Sequence, residues 1–208
     1  MSGHVSDAGD VLAPASPDTM GGIARLDTFG SFFQRFEQLI ASASRMSLYF
    51  IHSRRWRENH DAALKAFLGR DGTSLEVFLP DLENHELMFS VARHFDDGPL
   101  VPALVVDGYK YFGRLAREFG KPAHVWLFSR YPTYSFYQFD DRAVMALYSI
   151  TAAKKELPAL EITADGTLGQ FLASDIADLR KECRKLAPGD LDGVIRNALA
   201  QPHWEDLV

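Results

Sequence analysis

The sequence predicts an α/β fold in which a mixed β-sheet is flanked by helices. Two observations predict it. Residues 46–52 and 75–80 are short apolar runs separated by an amphipathic helical pattern, an order typical of a right-handed parallel βαβ unit. Aromatic and apolar runs at 133–139, 142–150 and 158–162 lie close together in the chain, which indicates an antiparallel section of the same sheet.

The remaining elements follow from apolar spacing and turn signals. Residues 82–95 and 100–119 are predicted helices, and a third strand is predicted at 124–129. Beyond the antiparallel section, helical spacing predicts a long helix at about 167–186 and a short one at about 190–200.

The N-terminal part divides into two predicted segments. Residues 1–24 are rich in Gly, Pro, Ser, Ala and Asp without periodicity, which predicts a disordered leader ahead of one domain at 25–208. Asp27 or Thr28 is then predicted to cap a helix. Its apolar stripe follows three- and four-residue spacing and favours core packing over a docking face; the stripe consists of Phe29, Phe32, Phe33, Phe36, Leu39 and Ile40.

Composition limits the function classes. The net charge of −6 over 208 residues gives no electrostatic footprint for nucleic acid. A single cysteine, Cys183, excludes an internal disulfide framework and a multi-cysteine zinc site. No basic start precedes an apolar run, and no stretch has the roughly 18 apolar residues that cross a bilayer, so we expect a cytoplasmic protein.

The turn after the first predicted strand of the βαβ unit is the main candidate for a ligand site. His52, Arg54 and Arg55 lie at a predicted carboxyl edge, where open α/β sheets bind ligands, and a helix begins there. Arg130 follows the third strand at the same predicted edge, and arginine forks match phosphate oxygens. The alternative is a solvated turn in which Arg57 pairs with Glu58 or Asp61.

A second carboxyl edge, at residues 80–86, gathers carboxylates and a histidine. Asp81 and His85 are four residues apart, as metal ligands or an acid–base pair on a helix would be. A helix N-cap at Asp81 is the favoured interpretation, and no metal is expected. The chain has no G-x-G-x-x-G and no G-x4-G-K-[ST], so the signatures of dinucleotide and P-loop binding are missing and no cofactor is expected. It also has no G-x-S-x-G, the nucleophile elbow of α/β-hydrolases.

Residues 133–140 resemble a known catalytic motif. Phospholipase D-like domains carry H-x-K-x4-D on a strand, followed by a turn, an apolar strand and Gly-Ser. Here Thr133 stands at the histidine position, Ser135 at the lysine position and Asp140 at the aspartate position, and Tyr148-Ser149 replaces Gly-Ser. By order of elements, residues 45–187 are similar to one degenerate, single bacterial lobe of this family.

The departures from the motif decide what the resemblance implies. Without the histidine no covalent phospho-enzyme forms, and without the lysine no cation meets the developing charge. We therefore expect a non-catalytic binding or regulatory domain for an anionic or nucleotide-like ligand, bound by His52, Arg54, Arg55, Arg130, Ser135 and Asp140. The alternatives are a divergent phosphodiesterase or nuclease that uses His52, His85 or Asp140, and a structural subunit.

The resemblance also implies a partner. Two lobes of phospholipase D-like proteins face each other to build one site, and this chain has room for one lobe. We therefore expect a homodimer or a pairing with a similar protein.

Overall fold

Eight strands and six helices make up the part of the chain that the computed structural model describes, residues 21–94, 101–120, 123–149 and 156–200. The strands are β1 Ile23–Thr28, β2 Arg45–Tyr49, β3 Ser74–Pro80, β4 Ala123–Phe128, β5 Tyr134–Phe139, β6 Arg142–Leu147, β7 Pro158–Thr163 and β8 Arg184–Leu186. The helices are α1 Phe33–Ser42, α2 Arg54–Gly69, α3 His85–His94, α4 Val101–Phe119, α5 Thr167–Glu182 and α6 Leu191–Leu199.

All eight strands join one sheet in the order β1-β7-β6-β5-β2-β3-β4-β8. Strands β2, β3 and β4 are parallel, which confirms the predicted βαβ unit. Strand β5 pairs antiparallel with β2, and β6, β7 and β1 continue antiparallel, which confirms the second section of the sheet. The fold class predicted from the sequence, a mixed sheet flanked by helices, is therefore correct.

Alternation along the central strands gives the sheet two different faces. Leu48 and Tyr137 point to the face covered by α1 and α2, where the ring of Phe36 lies 5.1 Å from that of Tyr137. The other face carries Ser47 and Gln138 and is covered by α5. One face is thus an aromatic core, and the other has polar side chains near its centre.

The predicted aromatic stripe belongs to the core. A 3₁₀ turn at Phe29–Phe32 leads into α1, and Phe32, Phe36, Leu39 and Ile40 are buried against the chain's own residues. Thr28 precedes the turn, although its side chain makes no capping hydrogen bond. Phe29 and Phe33 are partly buried and pack against the same core, so the core interpretation is confirmed.

Two predicted boundaries are corrected. The leader was predicted to reach residue 24, whereas Ile23 already begins β1 by pairing with Ile162 of β7; residues 1–20 lie outside the described residues. The long helix was predicted to reach residue 186, whereas it ends at Glu182 and the chain pairs with β4 as β8. Cys183 joins these two elements, and burial raises the pKa of its thiol to about 11.

None of the described helices is both long enough and apolar enough to cross a membrane.

A histidine is buried in the aromatic core between α1 and α2. His60 is 2% exposed and packs against the rings of Phe33, Phe36 and Trp56. Neither of its ring nitrogens has a hydrogen-bond partner among the described residues. Burial lowers the pKa of His60, and the nearby carboxylate of Glu37 only partly opposes this. The imidazole is therefore held neutral in the folded state.

We expect His60 to make the protein sensitive to acid. Below about pH 6.5 His60 is protonated in the unfolded chain but stays neutral in the folded protein. The free energy of unfolding therefore falls by up to about 1.4 kcal/mol per pH unit until the pH reaches the lowered pKa of folded His60. Urea unfolding of wild type and His60→Phe at about pH 7.5 and about pH 5.5 measures this. His124→Gln, which changes a histidine outside this core, is the control. An equal acid loss in wild type and His60→Phe would contradict the prediction.

Candidate functional site

The carboxyl end of β2 meets the beginning of β5, and this places the motif-like residues at one edge of the sheet. Tyr49 is the register partner of Phe136, so Ser135 and Thr133 lie beyond the end of β2. The backbone N–H of Tyr148 donates to the carbonyl of Thr133 at 2.9 Å, which fixes the link into β5. The positions that resemble the family's histidine and lysine are therefore at the expected carboxyl edge.

Ser135 is buried beside two tyrosine hydroxyls. It is 3% exposed, and its hydroxyl interacts with those of Tyr137 and Tyr148. The Tyr148 hydroxyl also accepts from the backbone N–H of Ile51 at 3.5 Å. Burial raises the pKa of both phenols, so neither is ionised near neutral pH and neither serves as a base toward Ser135.

His52 and the two arginines of the turn also lie at this edge, but in different environments. His52 is half-buried in the link between β2 and α2. Arg54 and Arg55 are exposed in the first turn of α2, and Arg54 Nε donates to Glu58 at 2.8 Å. An ion pair between neighbouring turns of a helix is what a solvated turn would form. The sequence suggested Glu58 as a partner of Arg57, whereas its partner is Arg54.

Arg130 is not brought together with these arginines. Its guanidinium lies 3.5 Å from Glu182, at the end of α5 on the opposite side of the sheet from α2. No contact among the described residues joins it to Arg54 or Arg55. The three arginines share an edge but not a pocket, because the sheet separates them.

The third arginine of this turn, Arg57, is buried and has a partner that the sequence did not indicate. Arg57 is 4% exposed; it donates from Nε to Ser53 at 3.1 Å and from Nη2 to Asp107 of α4 at 2.8 Å, and it stacks on Tyr111. The sequence suggested Glu58 or Asp61 as its partner. The true partner is 50 residues away, so no local spacing could indicate it.

Asp140 lies at the opposite edge of the sheet. Its carboxylate accepts from the backbone N–H groups of Ser44 at 2.8 Å and Arg45 at 2.9 Å, and its φ of 49° turns the chain from β5 into β6. Because six strand residues span about 20 Å, Asp140 cannot act on the same ligand atom as His52 or Ser135. The assignment of Asp140 to the carboxyl-edge site is therefore corrected. Its carboxylate fixes the backbone where β2 begins.

At the second candidate edge, residues 80–86, the carboxylates form ion pairs with an arginine of β8. Arg184 Nη2 donates to Asp81 at 3.1 Å and to Glu83 at 2.5 Å. Asn84, and not Asp81, caps α3, because its side-chain oxygen accepts from the N–H of Leu87 at 3.0 Å. His85 opens α3, and no group of three or more metal-ligating side chains occurs among the described residues.

A polar cavity that sequence reasoning missed lies between the sheet and α5. It has a volume of about 180 Å³ and opens at the Asp140 edge. Its lining comes from β2, β5, the turn after β5, and α5, and consists of Arg45, Ser47, Gln138, Asp140, Ala173, Ile176 and Arg180.

Comparisons with known proteins give no family and no curated relative, since no family model and no curated protein matches this chain. Among solved structures it is similar to TrmBL2, an archaeal chromatin protein described with a novel mode of DNA binding; the TM-score is 0.50 at 13% identity, over 78% of this chain and 54% of TrmBL2. This chain therefore corresponds to about half the length of TrmBL2.

Two further solved structures are similar. Nuc from Salmonella typhimurium, a phospholipase D family member, aligns with a TM-score of 0.49 and 12% identity, over 78% of this chain and 96% of Nuc. NucT from Helicobacter pylori aligns with a TM-score of 0.47 and 13% identity, over 78% of this chain and 98% of NucT. At such identities a likeness concerns the fold and not the chemistry of the site.

Proposed function

We propose that this chain is a phospholipase D-like lobe that works by binding and not by hydrolysis. One observation carries the proposal: Ser135, at the position that resembles the family's lysine, is 3% exposed within a group of neutral hydroxyls. At this exposure the hydroxyl is closed to a phosphodiester in the folded structure.

The residue at the nucleophile position supports the same conclusion. Thr133 is exposed, but an alcohol becomes a nucleophile only when an adjacent base takes its proton. Asp140, the one residue that matches the motif, accepts hydrogen bonds from two backbone N–H groups at the edge of the sheet opposite Ser135. Stabilisation of a pentavalent phosphorus would also need a cation, and Ser135 supplies none.

We expect no phosphodiesterase turnover from the purified protein. Bis-nitrophenyl phosphate, single- and double-stranded DNA and phosphatidylcholine vesicles are the substrates, and a commercial phosphodiesterase calibrates each assay. The rate should equal the buffer blank. Turnover that disappears in Ser135→Ala or His52→Ala but persists in the exposed control Ser31→Ala would replace this proposal with the enzymatic alternative.

The ligand and partner belong to the same proposal. An anionic or nucleotide-like ligand at Arg54 and Arg55 remains our expectation for the carboxyl edge. DNA binding of the kind described for TrmBL2 has less support here, since a net charge of −6 opposes the phosphate backbone. A homodimer or a pairing with a similar lobe remains proposed on the family resemblance alone, because the aromatic stripe packs against the chain's own core.

A further inference from the structure

A row of polar side chains crosses the face of the sheet under α5. Ser47 is the register partner of Gln138 on one side and of Glu76 on the other, so the three side chains lie side by side. A helix that covers a sheet usually meets apolar side chains there. Above this row α5 presents Ala173, whose small side chain leaves room for the cavity.

We propose that this cavity binds a small oxyanion, a carboxylate or a phosphate group, between Arg45 and Arg180. The site lies at the opposite edge of the sheet from Ser135 and does not depend on the proposed function. A cavity of about 180 Å³ has room for several water molecules or a small anion, since one water molecule needs roughly 10–15 Å³ on the same measure.

The acceptors around the cavity are already used. Glu76 accepts from Arg180 Nε at 2.9 Å and Nη2 at 2.6 Å, from the Ser47 hydroxyl at 2.9 Å and from Trp126 Nε1 at 2.9 Å. Asp140 accepts from the N–H groups of Ser44 and Arg45. Burial alone would raise the pKa of Glu76, but the hydrogen bonds from Arg180 and Ser47 outweigh it and lower the pKa. Both carboxylates are therefore engaged and have little to offer a cation.

The donors around the cavity are not used in the same way. Arg45 Nε is 3.7 Å from Asp140, which is beyond hydrogen-bond distance, and its guanidinium makes no hydrogen bond within the described parts of the chain. Arg180 uses Nε and Nη2 on Glu76, and its Nη1 has no hydrogen bond to a described residue. The Gln138 amide has only a contact of 3.4 Å to the Asp140 carbonyl. The cavity therefore has hydrogen-bond donors to spare, whereas its acceptors are already bonded. It should bind a ligand that accepts hydrogen bonds.

An oxyanion fits these donors in charge and in shape. The planar guanidinium fork matches the two oxygens of a carboxylate or of one phosphate edge. Arg180 is fixed by Glu76, whereas Arg45 lines the cavity with a side chain that is 79% exposed and lies 3.7 Å from Asp140. A divalent cation would need carboxylate oxygens that are already bonded.

Titration of the full chain with inorganic phosphate, glycerol phosphate and succinate at low ionic strength tests the site. Calorimetry gives the affinity, and NMR of the Gln138 side-chain amide and the arginine Nε–H groups gives the location. We expect saturable binding of at least one probe, with shifts at Gln138 and Arg45. Binding of phosphate and glycerol phosphate but not succinate would assign a phosphate site, and binding of all three a general oxyanion site.

Arg45→Gln should weaken binding at least about tenfold, equivalent to about 1.4 kcal/mol. Because the Arg45 side chain is exposed, we expect the variant to keep the thermal midpoint of the wild type, and a thermal melt checks this. Arg196→Gln removes the same charge from an exposed arginine of α6 that lines neither this cavity nor the proposed carboxyl-edge site, and it should leave the affinity unchanged. Absence of saturable binding, or an equal loss in both variants, would overturn the proposal. None of these results bears on the turnover assay.

Discussion

Replacing Gly169 with alanine should destabilise the protein by about 3 kcal/mol or more. Gly169 lies in the first turn of α5, where that helix begins against the end of β7. A Cβ at this position would lie 2.1 Å from the carbonyl oxygen of Thr163 and 2.6 Å from the Cα of Ala164. Both neighbours are backbone atoms, so the clash is relieved only by moving α5 away from the sheet.

A second glycine provides a control of opposite sign. Gly193 lies in α6, and an added Cβ there would meet no atom within 4 Å. Gly193→Ala should therefore stabilise the protein by about 0.5–1 kcal/mol, because alanine loses less backbone entropy in a helix. Urea unfolding followed by tryptophan fluorescence measures both variants. Equal midpoints for Gly169→Ala and wild type would contradict the close approach of α5 to β7.

The elements that could be predicted from the sequence are those whose signal is local. The apolar run at 75–80 and the amphipathic pattern before it predict β3 and α2, since each buries one side of a regular repeat. The aromatic run at 133–139 predicts β5 for the same reason. In each case the pattern that favours the element is the pattern that the core requires.

The two edge strands could not be predicted because they depend on distant partners. Ile23–Thr28 carries two charged residues and an exposed leucine, and it becomes a strand by pairing with β7 more than 130 residues later. Arg184–Leu186 continues a helical pattern and becomes β8 only because β4 offers an open edge. Backbone pairing with a distant strand makes both segments strands, and the spacing of apolar side chains does not indicate such pairing.

The candidate sites divide in the same way. The family resemblance grouped Ser135 with the carboxyl-edge residues, and Ser135 lies at that edge because β5 begins where β2 ends. The same resemblance grouped Asp140 with Ser135. The two residues lie at opposite ends of β5, because an extended strand separates its first and last residues by its full length. The oxyanion cavity combines residues 45, 47, 138 and 180, and only the packing of α5 on the sheet brings them together.

Removal of the Arg35 guanidinium should have the other large effect on stability. The side chain of Glu161 on β7 is only 5% exposed, and Arg35 of α1 donates to it from Nε at 3.0 Å and from Nη2 at 2.6 Å. The hydrogen bonds to Glu161 raise the pKa of Arg35. In Arg35→Met the one ion-pair partner left to this carboxylate among the described residues would be Arg142, whose Nη1 is 3.8 Å away. We expect a loss of about 3 kcal/mol, because a charge buried without its partner is costly.

A double variant separates the cost of the orphaned charge from the value of the pair. Arg35→Met combined with Glu161→Leu replaces both partners with apolar side chains, and it should recover much of the stability that Arg35→Met loses. Arg54→Ala, which breaks the exposed pair with Glu58, should cost no more than about 0.5 kcal/mol. Urea unfolding near neutral pH gives all three values. If the double variant is no more stable than Arg35→Met, the loss comes from packing around α1 and not from the buried carboxylate of Glu161.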